Sequence, residues 1–488
     1  MLTIQEIKSF IDNDAASIKK KHARVGLRYY EADHDIKNYR IFYIDGDGNL
    51  QEDKNKSNIK ISHPFFTENV DQVVQYLLSG DCFVKSDNPE LQTHLDAYFN
   101  DDEDFLAELY ETLTGCVSKG FEYMYAYKNA EGRTAFQCAD SIGVIEVEAR
   151  FASDNEDHVL YWYIDRIDAD GKTIKRIQDW NKHNTAFYKQ TNEGEIQKDE
   201  DEEINPRPHV IYTKDDGELY YDVLGFIPFF RLDNCKKQFS GLKAIKDLID
   251  DYDLMSCGLS NNIQDTNESL YVVKGFQGDN LDELMMNIKA KKHIGVDEDG
   301  DIDIKTIDIP AEARKTKLEL DEKNIYRFGF ALNTSGLKDT NATTNLAIKS
   351  AYSLLDLKAN KLEIRLKQFM RKLLKVVLAE INDQEGTDYQ QKDVYFNFER
   401  DIPVNEQEDA QNKLTDAQRK QAEITTLLNI ATYLDNETLM QLICEQLDID
   451  YDDIKDKLPD PDEALTDVTD AQTVLDESHV DPVGGDVI

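Results

Sequence analysis

From Ala311 to Ile402 the sequence contains no proline. Nothing in that span removes a backbone donor or forces a clash with a preceding turn, so helix can run through it unbroken. Apolar residues recur there at helical spacing: Ile348, Tyr352, Leu355, Leu362, Leu366, Phe369, Leu373, Val377 and Ile381. The spacing predicts one helix from Asn345 to about Asn382, ~57 Å long at ~1.5 Å per residue. A second helix is expected from Ala311 to about Phe328. Between them lies "LNTSGLKDTNATTNLAIK", Leu332 to Lys349. A polar connection of that length inside a compact protein is usually functional or disordered.

The long helix is also basic. From Asn345 to Glu380 it holds eight Lys or Arg and three acids, in a chain whose formal charge is −41. Its apolar stripe is wide and must be packed.

Elsewhere the hydrophobic period changes twice. Residues 1–40 read as helical. "IFYIDGDGNL" (41–50) reads as a strand entering a Gly-Asp turn, and "HPFFTENVDQVVQYLLSG" (63–80) as a helix on Val70, Val73, Val74, Leu77 and Leu78. One or two more helices follow over 90–119. From Gly120 to about Phe230 the period falls to two, and aromatic and β-branched runs joined by Gly-containing turns predict a hairpin meander. The acidic run "DEDEE" (199–203) reads as a solvated loop in it. At Ser240, a plausible N-cap, the period returns to 3.6, with Leu242, Ile245, Leu248, Ile249, Tyr252, Met255, Leu259 and Ile263 on one side. Residues 270–310 read as a small insert: a strand, a short helix and a hairpin. After a strand-like "VYFNFERDIP", two or three helices are expected over 405–458. Residues 459–488 hold nine acids and no Lys or Arg, and are expected to be disordered.

Composition narrows the function. A chain of charge −41 should not coat itself on DNA, because nonspecific binding is driven by cations on phosphate. Six scattered cysteines without a C-x-x-C pair read as reduced thiols. The first 25 residues have no apolar core fit for a signal peptide, and no window is apolar enough to span a bilayer, so no membrane partner is expected.

No chemical motif appears. Phosphate loop, dinucleotide fingerprint, H-E-x-x-H and G-x-S-x-G elbow are all absent. The "DGDGN" from Asp45 and "DEDGD" from Asp297 lack the Gly and Glu of a calcium loop at its sixth and twelfth positions. Neither enzyme activity, metal nor cofactor is expected.

The order of parts resembles the portal proteins of tailed bacteriophages, of the type found in long-tailed phages of Gram-positive hosts. "YYEADHDI" (29–36) is similar to that family's early Tyr-Tyr…His-x-Ile box, with Ala32 where the family usually has Gly. "NIKISHPFFTENVDQVVQYLLSG" (58–80) is similar to its first helix, and "GFEYMYAY" (120–127) to the strand opening its β region. The match is strongest at "GFIPFFRLDN" (225–234) followed by "SGLKAIKDLIDDYDLMSCGLSNNIQD" (240–265), with its Asp-x-Tyr-Asp centre. "NATTNLAIKSAYSLLDLKANK" (341–361) resembles the loop-to-helix junction, with Thr344 and Asn345 where a Ser-Gly pair is common.

The resemblance implies an α+β ring subunit. Residues 1–239 would be a β-rich wing, 240–269 and 311–330 two stem helices, and 270–310 a small mixed clip. Residues 331–344 would be a tunnel loop, 345–404 the long helix and return strand of the wing, 405–458 a helical crown, and 459–488 an acidic tail. Asn333, Thr334, Ser335, Gly336, Lys338, Asp339, Thr340, Asn341, Thr343 and Thr344 would line the DNA channel. Lys289, Lys291, Lys292, His293, Asp297 and Asp299 would face partners of the clip. The ring would have twelve subunits, occasionally thirteen when assembled alone. The basic long helix would either face the channel or pair its cations with acidic groups of the next subunit, and its wide apolar stripe favours the second. Double-stranded DNA would be packaged and ejected through it. Its partners would be the terminase, a head-completion adaptor, scaffold and major capsid protein, with assembly in the host cytoplasm. Two other classes compete: another structural component such as a scaffold or baseplate protein, and a metal-dependent nucleic-acid enzyme.

Overall fold

The structure is a computed structural model; it describes residues 1–54, 56–80, 83–129, 132–192, 194–213, 219–265, 270–274, 301–305, 310–334, 345–400, 406–447 and 451. Two compact units emerge. One is Met1–Thr340 with Lys349–Ile402, the other Asn341–Ile348 with Pro403–Ile488.

The first unit begins with helices α1 (Ile4–Ala16) and α2 (Ile18–Tyr30), where one helical region was expected. Ser17 divides them: extended itself, it caps α2 by accepting from Lys20 N–H. Hairpin β1 (Phe42–Ile44) and β2 (Leu50–Glu52) turns on Asp45, whose carboxylate accepts from the Asp47 and Asn49 amides at 3.1 and 2.8 Å. That turn consumes the first candidate calcium run; the second lies outside the described residues.

Helices α3 (Phe65–Leu77), α4 (Pro89–Leu95) and α5 (Glu103–Lys119), with the short strand β3 (Val84–Lys85) between the first two, enclose the main core. The expected meander is instead two sheets. Strands β4 (Phe121–Lys128) and β5 (Thr134–Ala139) form a hairpin. The chain then turns at Asp140–Gly143 into a separate antiparallel sheet of β6 (Val144–Val147), β7 (His158–Ile167), β8 (Thr173–Trp180), β9 (Asn184–Thr191) and β10 (Ile196–Lys198). Gly143 permits the switch, since a Cβ there would overlap the Trp162 carbonyl oxygen. Strand β11 (Arg207–Pro208) joins β9, and β12 (Val210–Thr213) pairs with β13 (Leu219–Asp222). Strand β14 (Phe229–Asp233) returns to the free edge of β4, Arg231 opposite Tyr123. Helix α1 packs on the larger sheet through Ile7, which faces a core including Leu160 and Ile177.

The acidic run is not wholly solvated. Asp199 is buried against Arg176 at 3.1 Å and Lys189 at 3.5 Å, and Glu202 meets Arg176 and Arg207. Asp199 follows β10 on the face opposite the core residue Ile196, where two cations neutralise it.

Ser240 caps a short 3₁₀ turn, and α6 (Lys246–Asp265) follows. From the insert, β15 (Leu270–Lys274) pairs with β16 (Asp301–Lys305). Helix α7 is Ala311–Gly329, and α8 is Asn345–Glu385, 41 residues, longer than the expected span. Leu355, Leu362, Leu366, Phe369, Leu373, Val377 and Ile381 are buried along it, as its period requires. Strand β17 (Tyr395–Phe396) pairs with β3.

The second unit holds α9 (Glu406–Asn429) and α10 (Asn436–Leu447). Asp435 caps α10 by accepting from Thr438 N–H at 2.8 Å. Residues 459–488 lie outside the described residues. No helix among the described residues is long and apolar enough to cross a membrane.

Candidate functional site: the paired stem helices and the base of the polar loop

Helices α6 and α7 pack antiparallel. Gly258 lies beside Arg314, Asp251 meets Lys317 at 2.5 Å, and Ile245 lies against Gly329. Lys317 also reaches Asp321. Along α6 the apolar side expected from sequence is only half covered. Leu242, Ile245 and Ile249 are buried, whereas Ile263 is 56% exposed, as are Leu320 at 53% and Phe328 at 46% on α7. Apolar side chains exposed along the pair, with Ile263 at one end of it, call for a further partner.

A buried polar network anchors the other end. Asp253 is fully buried; its carboxylate bonds His34 Nδ1 at 2.6 Å and His63 Nδ1 at 2.7 Å, and accepts from the His63 amide at 3.0 Å. Burial pushes this carboxyl up, but the hydrogen bonds from His34 and His63 outweigh burial and hold it below its ordinary value. His34 stacks on Tyr29 with ring centres 4.4 Å apart, and Tyr29 donates to Asp250. Lys246 bridges Asp35 at 2.7 Å and Asp250 at 2.6 Å. Thus the Tyr-Tyr…His box and the Asp-x-Tyr-Asp centre, far apart in sequence, form one network. Phe65 adds edge contacts to Tyr252 and Tyr326 at 4.8 and 5.9 Å. Ala32 of the same box has φ +55°, a left-handed conformation that favours glycine.

Helix α7 ends where the polar loop begins. Gly329 is buried, and a Cβ on it would overlap the Asn69 amide nitrogen. Phe330 is left-handed, with φ +55°. The Ala331 amide donates back to Tyr326 O at 3.0 Å, closing the helix. Ala331 and Leu332, expected in the exposed loop, are buried. They are held because the Gln72 side chain binds Leu332 at both ends: Nε2 donates to its carbonyl at 3.0 Å, and Oε1 accepts from its amide at 2.8 Å. Lys358 of α8 donates to Gly329 O at 3.1 Å and Asn69 O at 3.2 Å. Tyr326 donates to Glu68 at 2.5 Å.

Of the predicted channel residues, Asn333 is half-buried with Nδ2 at 3.5 Å from Glu322, and Thr334 is exposed. Ser335, Gly336, Lys338, Asp339, Thr340, Asn341, Thr343 and Thr344 lie outside the described residues, as do Lys289, Lys291, Lys292, His293, Asp297 and Asp299. Sequence reasoning missed Gln72, Lys358, Asp253, His34 and His63. Lys358 left a signal: it falls between Leu355, Ala359 and Leu362, inside the apolar stripe. Gln72 left none.

Three acids of α8 are paired with cations outside the helix. Asp356 and Glu363 meet Arg400, and Glu380 meets Lys128 at 3.0 Å. Its exposed Lys361, Arg371, Lys372 and Lys375 have no ion pair among the described residues. Among the described residues one group could offer three metal ligands, Asp154, Glu156 and His158. Asp154 of that group is already paired with the Met1 ammonium at 2.7 Å and His158 Nε2 at 3.1 Å.

A family model described as phage portal protein, SPP1 Gp6-like, matches residues 10–450. A protein named portal protein from Bacillus phage SPP1 is 29% identical over 349 residues, covering 71% of this chain and 67% of that protein. A portal protein of Clostridium phage phiCD119 is 32% identical over 189 residues, covering 38% of this chain and 41% of that one. Among solved structures, one titled neck of native GTA particle computed with C12 symmetry covers 78% of this chain and 89% of its own, at 11% identity and a TM-score of 0.38.

Proposed function

The chain belongs to the phage portal protein family of the SPP1 Gp6-like type, and from that premise we propose how its parts divide the work. A portal protein is a structural component of the virion at the capsid vertex, not an enzyme, and it acts as a symmetric ring. In our reading the ring has twelve subunits, or thirteen when assembled alone. It assembles in the host cytoplasm with scaffold and major capsid protein. Double-stranded DNA is packaged and ejected through its centre. Helices α6 and α7 form the stem. The insert between them, 270–310, is the clip that meets the terminase and later the head-completion adaptor. The β sheets belong to the wing, and α9 and α10 to the crown.

The polar segment after Leu332 lines the narrowest part of the channel. Small polar side chains offer a passing duplex weak contacts that read no sequence. Lys338 would add one cation per subunit, a modest positive ring. The match over residues 10–450 carries the portal reading, and the anchoring of Leu332 by Gln72 at the base of the segment supports the loop assignment. The exposed cations of α8 that lack an ion pair among the described residues support pairing with the next subunit, since Asp356, Glu363 and Glu380 are held by Arg400 and Lys128. Shortening the segment between Thr334 and Thr344, or making Asn341→Pro, should leave rings intact and lower the yield of DNA-filled heads. Normal filling with a shortened segment would make it a plain connector.

A further inference from the structure

We propose that Gln72 and Lys358 are positioning residues for the polar segment after Leu332, fixing the point at which the chain leaves the packed body of the subunit. This rests on the reading of that segment as the channel lining. Three elements meet at this point. Helix α3 supplies Glu68, Asn69 and Gln72, spaced to lie on one face; α8 supplies Lys358; α7 supplies the carbonyl of its last residue. Gln72 satisfies both main-chain groups of Leu332, as a strand neighbour would, so Leu332 is fixed without belonging to any helix or sheet. Lys358 ties Gly329 O to Asn69 O. Its ammonium has no carboxylate partner among the described residues, so its place is given by these two carbonyls.

The mechanical consequence follows from the connectivity. Past Leu332, among the described residues, Asn333 Nδ2 approaches Glu322 at 3.5 Å. A load on the segment therefore passes through Gln72 into α3 and through Lys358 into α8. It does not peel back the last turn of α7, which left-handed Phe330 and the Ala331 amide close. The clamp confines local opening of the chain to one side of Leu332.

Hydrogen exchange on assembled rings of the full chain tests this, beside the yield of DNA-filled heads from procapsids built with the same protein. Gln72→Ala and Lys358→Met should each raise exchange over 329–334 by about tenfold, the effect of losing about one buried hydrogen bond. Exchange over 246–265 and ring yield should stay unchanged, and filled heads should fall several-fold. Lys358→Arg, which still donates to both carbonyls, should restore filling. If Gln72→Ala gives no rings, Gln72→Glu serves instead; it keeps the acceptor for the Leu332 amide and loses the donor. Unchanged exchange over 329–334, or raised exchange with normal filling, would overturn the inference. The shortened segment separates the two ideas. If it fails to fill heads while the clamp variants fill them normally, only the clamp is wrong; if it fills them, the channel reading itself has failed.

Discussion

His34 and Asp253 stand 219 residues apart in sequence and meet at 2.6 Å, both wholly shielded from water. The carboxylate binds the first helical hairpin and the loop before α3 to the stem helix. Asp253→Ala leaves two imidazoles without their common acceptor, and should cost about 3 kcal/mol or more. The folded-state pKa of Asp253 is below its unfolded value. Its contribution is therefore full above about pH 4 and is lost as pH falls through the lower folded value. Denaturant unfolding of wild type and variant should diverge at neutral pH and converge in acid.

Ala32→Gly should stabilise the protein. Ala32 holds φ +55°, where a Cβ costs about 1 kcal/mol. Glycine removes that cost but adds freedom to the unfolded chain, leaving a net gain of about 0.5 kcal/mol. A shift of the unfolding midpoint toward less denaturant would show that the turn is not strained.

Gly329→Ala should destabilise by about 1–3 kcal/mol, because its Cβ would enter the space filled by the Asn69 amide. Asn69→Ala should remove most of that penalty in the double variant. Additive effects across the two sites would separate them physically.

Burial pushes the Lys358 ammonium down to about 8, and no charged neighbour contributes to the shift. Between about pH 8 and about pH 10.4 the unfolded chain binds more protons here than the folded one, so stability should rise with pH over that window. Lys358→Met should show a flatter slope there than wild type, measured by denaturant midpoint at fixed ionic strength. Equal slopes would mean the ammonium is well solvated.

Much of this was legible from the chain. Seven apolar residues of α8 from Leu355 to Ile381 are buried where a 3.6 period placed them, because one long proline-free helix leaves little choice. Ser240 capped its turn because a hydroxyl before a helical run has a local partner. The two-sheet split was not legible: β4 finds β14 more than a hundred residues later, and alternation says which face is inward, not which strand is the neighbour. The same holds at the loop base. Nothing in "VDQVVQ" distinguishes Gln72, whose partner is the backbone of Leu332. Lys358 could have been found as a cation on an apolar face, where a buried charge needs an acceptor.

Replacing Lys361, Arg371, Lys372 and Lys375 of α8 together by Gln should weaken subunit association, and association of the wild type should weaken with salt. Ring yield against ionic strength reads both. Unchanged rings with altered packaging would turn this face toward the channel instead.

The central claim is a ring, and native mass measurement of the purified chain at micromolar concentration and moderate salt tests it most directly. A closed assembly of twelve or thirteen copies, with a central opening in electron images of the same sample, is the predicted result. A 56.1 kDa monomer under those conditions would contradict it.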